Sequence, residues 1–215
     1  PSPSPIPLES TATPSSASPT PTSNPKVTGL TMPIKGAPLP TYEGQLPGAP
    51  RPYRNGVHQG IDFYYVNAQG GPVTYDTEIL AVERGRVIRA DLDYVEATQA
   101  EMDEMLSESQ KLGSTPPEVL DRLRGRQVWL DYGDGITTRY AHLNEIAPEI
   151  RIGAEVRQGQ LLGLAGNSGT PEAARGLKIE VHLHLEIWVK GRFLGDGLSV
   201  DEVRDLLRQA FSRGS

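Results

Sequence analysis

The segment KIEVHLHLEIWV, residues 178–189, constrains this chain more than any other stretch. Its alternation puts Val181, Leu183, Leu185, Ile187 and Val189 on one face of a strand and His182, His184, Glu186 and Trp188 on the other. Such a strand must bury its first face, and it then offers two imidazoles together on the second. Other short apolar runs, GIDFYYV, ILAVERGRVIRA, RQVWLDYG, GITTRYAHL and AEVRQGQLLGLAG, are likewise separated by turn signals, so the chain reads as mainly β. Asp134-Gly135 lies between two β-prone runs and reads as a hairpin turn.

Between Leu92 and Arg126 the β rhythm stops. Helix formers without alternation predict a helical insertion over about 93–126, with Val95, Met102, Met105, Leu106 and Leu112 on one stripe. Thr115, Pro116 and Glu118 supply a cap, a first-turn proline and a capping-box partner. The insertion either caps one end of the sheet or forms a wall beside a cleft. Ser199 and Glu202 make a second capping-box pattern ahead of Val203, Leu206, Leu207, Ala210 and Phe211, which predicts an amphipathic C-terminal helix within 199–215.

The N-terminal 1–25 are so rich in Pro, Ser and Thr that they cannot bury enough apolar area to offset their ordering entropy, and they read as a disordered tether. Residues 26–54, punctuated by Gly and Pro, read as an irregular lead-in packed against a domain spanning 55–198. No apolar run reaches the roughly 18 residues that a membrane span needs. The chain opens on Pro1 instead of a charged and then apolar leader, so an exported form would have lost its signal. A net charge of −6 supplies no basic stripe for a phosphate backbone and argues against nucleic acid as a partner. The absence of cysteine removes thiol nucleophiles, thiolate metal sites and disulfides together.

The four histidines, His58, His142, His182 and His184, all fall in β-type segments or at their edges. On a strand, positions two apart lie roughly 6.6 Å from each other, so one of His182 and His184 can bind a metal while the other reaches a water on it. In His58-Gln-Gly-Ile-Asp62, the glycine relaxes the backbone between an imidazole and a carboxylate that can converge on one ion. Two imidazoles, one carboxylate and a further imidazole match a catalytic zinc site with three protein ligands, whereas a structural zinc is normally closed by four. His142 ends the run ITTRYAH, in which Ile136, Thr138, Tyr140 and His142 are expected on one strand face.

These motifs resemble, in the same order, those of the M23 peptidases, the lysostaphin and LytM type of cell-wall endopeptidase. The matching features are HQGIDF, ILAVERGRVIRA, RYAHL, IGAEVRQGQLLGLAGNSG and HLHLE, from about Asn55 to Trp188 less the insertion. The resemblance implies an antiparallel β sandwich of the LytM/duplicated hybrid type with a groove over the metal. It further implies that His58, Asp62 and His184 bind Zn2+ and that His182 and His142 are the catalytic histidines. The implied substrate is the peptide of peptidoglycan, and the implied location is extracytoplasmic, in a bacterial envelope or secreted.

Two departures limit what carries over. The usual small-residue and proline lead-in to the last motif is here Glu180-Val181, after the longer loop TPEAARGLKIE, and the insertion lies outside the minimal domain. Groove shape and choice of substrate therefore do not follow from the resemblance. Tyr140 reads as a core or groove-wall residue or as a catalytic helper, and Glu186 as a support for the site. The rival reading is a non-catalytic domain of the same fold that binds peptidoglycan or activates another wall hydrolase, but such domains typically lose a ligand and none is missing here. A lipoyl-type carrier is disfavoured because IGAEVRQGQLLGLAG lacks a lysine at a hairpin tip, and a cupin because the remaining histidines lie upstream of the H-x-H strand.

Overall fold

The computed structural model describes residues 27–212. The expected tether over 1–25 lies outside the described residues, as do 213–215. In chain order the strands are β1 (Pro50–Arg51), β2 (Gly56–Val57), β3 (Ile61–Phe63), β4 (Glu78–Leu80), β5 (Gly85–Ala90), β6 (Val128–Asp131), β7 (Ile136–Ala141), β8 (Leu143–Ile146), β9 (Glu155–Val156), β10 (Leu161–Ala165), β11 (Leu183–Val189) and β12 (Arg192–Phe193). The α-helices are α1 (Gln99–Leu112), α2 (Pro117–Leu123), α3 (Pro171–Ala174) and α4 (Val200–Ala210).

The fold is mainly β and antiparallel. The larger sheet runs β12-β11-β7-β6-β5-β9, and β3 pairs with β11 on the edge opposite β7; a second sheet runs β4-β10-β8. Register follows the alternation in the sequence. Leu185 pairs with Tyr140, which pairs with Val128, and Ile187 pairs with Thr138, which pairs with Leu130, so one face of the large sheet is continuous and buried. These residues share a single core with Ile79, Ile146, Leu162 and Ala165 of the smaller sheet. Each fully buried side chain of this size contributes about 1.5–3 kcal/mol, which locks the register, since a one-residue slip would expose the whole set.

Apolar packing begins well upstream of Asn55. Val27, Leu30, Ile34 and Leu46 are buried in the same core, and the Leu30 N–H donates to the carbonyl of Ala210 at the end of α4. These residues have no helix or strand period because they sit among glycines and prolines, which is why periodicity could not find them. At the other end, α4 carries the predicted Ser199/Glu202 capping box and buries Val203, Leu207 and Ala210.

The insertion extends a hairpin, since Ala90 and Val128 pair directly across β5 and β6. It has a small core of its own in Ala97, Met102, Met105, Val119 and Leu123. Helix α1 starts at a capping box between Thr98 and Glu101 that the sequence reading missed, and it ends at Gly113 with φ of 66°, a left-handed turn suited to glycine. The expected stripe is shorter than predicted: Val95 precedes the helix and Leu112 sits at its last turn, both exposed. Thr115 does not cap α2. Its hydroxyl donates to the Arg54 carbonyl at 2.6 Å and accepts from the Arg54 guanidinium at 3.0 Å, leaving Pro116 at the cap position. Among the described residues, no helix is long and apolar enough to cross a membrane.

Because the insertion has a separate core, its stability can be lowered locally. Met102→Ala should remove about 2–5 kcal/mol from the α1–α2 unit. Hydrogen exchange should accelerate in residues 97–123 while β7 and β11 keep their protection.

Candidate metal centre

The pairing of β3 with β11 sets Asp62 directly opposite His184. His58 reaches the same point from the turn before β3. Gly60 is required there for space: its φ is not left-handed, but a Cβ would fall 2.6 Å from the Leu185 carbonyl and 2.9 Å from the His184 ring. His58 Nε2, Asp62 Oδ1 and His184 Nδ1 form a triangle with sides of 2.9, 2.8 and 3.0 Å. All three residues are buried.

The outward atoms of the two rings decide what this triangle can hold. His58 Nδ1 lies 2.9 Å from the Leu46 carbonyl, which can only accept, so that nitrogen carries the proton and Nε2 presents a lone pair. His184 Nε2 lies 3.0 Å from the ionised Glu186 carboxylate, so Nδ1 presents its lone pair. The other oxygen of Asp62 receives a hydrogen bond from Arg51 at 3.0 Å. Three electron-pair donors, two nitrogens and a carboxylate oxygen, thus face one another with their supporting hydrogen bonds made on the far side. Their chemistry fits a divalent cation of the zinc type.

The electrostatics agree with that chemistry. Burial, the largest influence on His58, lowers its pKa despite Asp62 beside it. At Asp62 burial acts upward but is outweighed by His58 and His184, which hold the carboxyl well below its ordinary range. At His184 burial opposes the charged ring, and the hydrogen bonds to Asp62 and Glu186 prevail and raise its pKa. In the charged ring Nδ1 also carries a proton, directed at Asp62, and a dication at the triangle would take the place of that proton and meet the lone pair of the neutral ring.

The other two histidines complete the cluster. His182 donates from Nδ1 to the Glu180 carbonyl at 2.7 Å, stacks on Tyr64 with centroids 4.5 Å apart, and brings Nε2 to 3.8 Å from Asp62 Oδ1. His142 donates from Nδ1 to the Ser168 carbonyl at 2.7 Å, and its ring lies 4.7 Å from that of His182. Burial lowers the pKa of both, so each is a neutral imidazole with a free Nε2 at neutral pH.

All five residues singled out in the sequence meet here, but one does so by a route the sequence reading did not foresee. His142 does not share a face with Tyr140. Strand β7 ends at Ala141, and His142 takes a φ of 60°, a left-handed conformation costing about 1–3 kcal/mol for a non-glycine residue, which turns the ring out of the alternation. Tyr140 remains in the core, fully buried, with its hydroxyl accepting from the Val82 N–H at 2.8 Å. Arg51, Leu46 and Arg124 were not anticipated at the site at all. No local pattern marks them, because each reaches the site through a partner outside its own stretch of chain.

Glu186 is the hub behind His184. It is 1% exposed and receives Arg124 Nε at 2.7 Å, Arg139 at 3.3 Å and Trp188 Nε1 at 2.6 Å. Arg139 in turn is sandwiched between Trp129 and Trp188, its guanidinium carbon 4.0 and 4.2 Å from the two rings. A groove of about 1290 Å³ runs over the four histidines. Leu106, Leu120, Leu123 and Arg124 of the insertion form part of its lining, so the insertion is a wall of the groove.

Comparison with known proteins finds that residues 56–195 match the family model for Peptidase family M23. A 68-residue stretch is 37% identical to peptidoglycan DD-endopeptidase ShyA of Vibrio cholerae, covering 32% of this chain and 14% of the relative. Among solved structures, a putative peptidase M23 from Pseudomonas aeruginosa aligns with a TM-score of 0.47 and 20% identity, covering 90% of this chain and 55% of that one. The catalytic domain of lysostaphin from Staphylococcus simulans aligns with a TM-score of 0.39 and 19% identity, covering 74% and 79%.

Removing one partner of the buried Glu186–Arg124 pair leaves an uncompensated charge. Glu186→Gln should cost about 3–5 kcal/mol in urea denaturation with chelator present throughout, and adding Arg124→Met should recover part of the loss.

Proposed function

The chain belongs to peptidase family M23, and from that premise we propose that it is a zinc-dependent endopeptidase hydrolysing peptide bonds in peptidoglycan cross-links or bridges. The observation that carries this reading is the convergence of three lone-pair atoms of His58, Asp62 and His184 beside two neutral imidazoles on the floor of one groove. Zinc held by those three residues would polarise the scissile carbonyl and make an attacking water acidic enough to react at neutral pH.

The chain's own residues supply the proton transfers. His182 Nε2 takes the proton from the attacking water as its oxygen adds to the carbonyl carbon. As the C–N bond breaks, the same nitrogen returns the proton to the leaving amine. His142, its Nδ1–H committed to Ser168, shares the proton transfer through Nε2, and once that nitrogen carries the proton it can donate to the developing oxyanion. The hydrogen bond to Glu180 keeps the proton on Nδ1 of His182 and leaves Nε2 basic. In this reading the catalytic unit spans 55–198, α4 (Val200–Ala210) docks behind it, and 1–25 tethers the enzyme outside the cytoplasm, in the envelope or secreted.

Purified protein should carry about one equivalent of zinc and cleave cross-linked muropeptides, with the new termini identified by mass spectrometry. A chelator should abolish cleavage and zinc restore it. His182→Ala should retain zinc and lose about 10²–10⁴-fold in kcat/KM, whereas Asp62→Ala should lose both metal and activity. Zinc bound by the wild type without any cleavage would favour the non-catalytic peptidoglycan-binding reading.

A further inference from the structure

We infer that the helical insertion is a positioning element for the metal centre and acts through Arg124, the residue at the C-terminal cap of α2. The inference rests on the metal reading proposed above, and it assigns a task to a segment outside the minimal domain. Arg124 is 6% exposed and makes three separate connections, each leading to a different histidine.

Its Nε donates to Glu186 Oε1 at 2.7 Å, and that same oxygen accepts from His184 Nε2 at 3.0 Å. Its terminal nitrogen donates to Gln59 Oε1 at 2.8 Å, and Gln59 follows His58 in the chain. Its carbonyl accepts the backbone N–H of His142 at 2.9 Å, at the residue that holds the left-handed φ. The next residue tightens the last connection: Gly125 packs so closely on Ser168 that a Cβ would sit 2.2 Å from the Ser168 oxygen, the acceptor for His142 Nδ1.

A second seam ties the insertion to the chain just ahead of His58. Arg54 and Thr115 exchange hydrogen bonds, Asn55 donates to the Ser109 carbonyl at 3.3 Å and to Gln110 at 2.9 Å, and Gln110 donates to the Pro52 carbonyl at 2.9 Å. The α1–α2 unit is therefore fastened both to the segment that delivers His58 and, through Arg124, to the supports of His142 and His184. An insertion that only covered a sheet end would need none of these connections. A lysine at 124 can keep the charge opposite Glu186 but cannot span Glu186 and Gln59 with one planar fork.

The test uses the full chain in its zinc and cobalt forms. Arg124→Met should weaken zinc binding by about 10–100-fold, shift the visible bands of the cobalt protein, and lower kcat with KM changed by less than about twofold. Arg124→Lys should recover part of the affinity and of the cobalt spectrum. Met102→Ala, which loosens the insertion without touching the site, should also weaken zinc binding, and it supplies the answer if Arg124→Met does not fold. Zinc affinity and cobalt bands equal to wild type in Arg124→Met, or in Met102→Ala when only that variant folds, would overturn the inference. Failure of the wild type to bind zinc would instead overturn the metal reading itself.

Discussion

The face-to-face pairing of Asp62 and His184 across β3 and β11 is the constraint on which the site depends. It is a backbone register, and it holds because the opposite face of β11 is sealed into the core by Leu183, Leu185 and Ile187. Apolar burial on one side of the sheet thus fixes polar geometry on the other. Slipping β3 by one residue would turn Asp62 into the core and bring Ile61 or Phe63 opposite His184, so stability and the geometry of the triangle are secured by one set of contacts. Three lone pairs aimed at a common point repel one another, and the hydrogen bonds that His58 donates to the Leu46 carbonyl, His184 to Glu186 and Arg51 to Asp62 are what keep them aimed there.

The strands and the convergence of His58, Asp62 and His184 were legible because both are written in short-range pattern. KIEVHLHLEIWV states its own two faces, and HQGID states a spacing. Residues whose roles depend on distant partners were hidden. Arg51 and Leu46 lie in an aperiodic stretch, and nothing local marks one for the Asp62 carboxylate or the other's carbonyl for His58. Arg124 looked like any charged residue ending a helix. The reading of His142 failed for a different reason: alternation was extended one residue past the end of β7, where a left-handed φ cancels it. Thr115 has the neighbours of a helix cap in the sequence, but a buried guanidinium, available only in three dimensions, claims its hydroxyl.

The lead-in and the insertion, the two parts that sequence pattern describes least, surround the site most closely. Residues 42–51 supply the carbonyl behind His58 and the cation behind Asp62, and the α1–α2 unit walls the groove. The central motif can therefore remain constant in its chemistry while these outer segments shape what enters.

The stacking of Arg139 between Trp129 and Trp188 has an optical consequence. These are the chain's two tryptophans, and one of them also hydrogen-bonds the carboxylate behind His184. The protein's tryptophan fluorescence therefore originates entirely from a single stack, joined to the His184 imidazole by two hydrogen bonds through Glu186. Changes in charge or hydrogen bonding at Glu186 will perturb both indoles at once, so the molecule carries a built-in reporter of the floor of its groove.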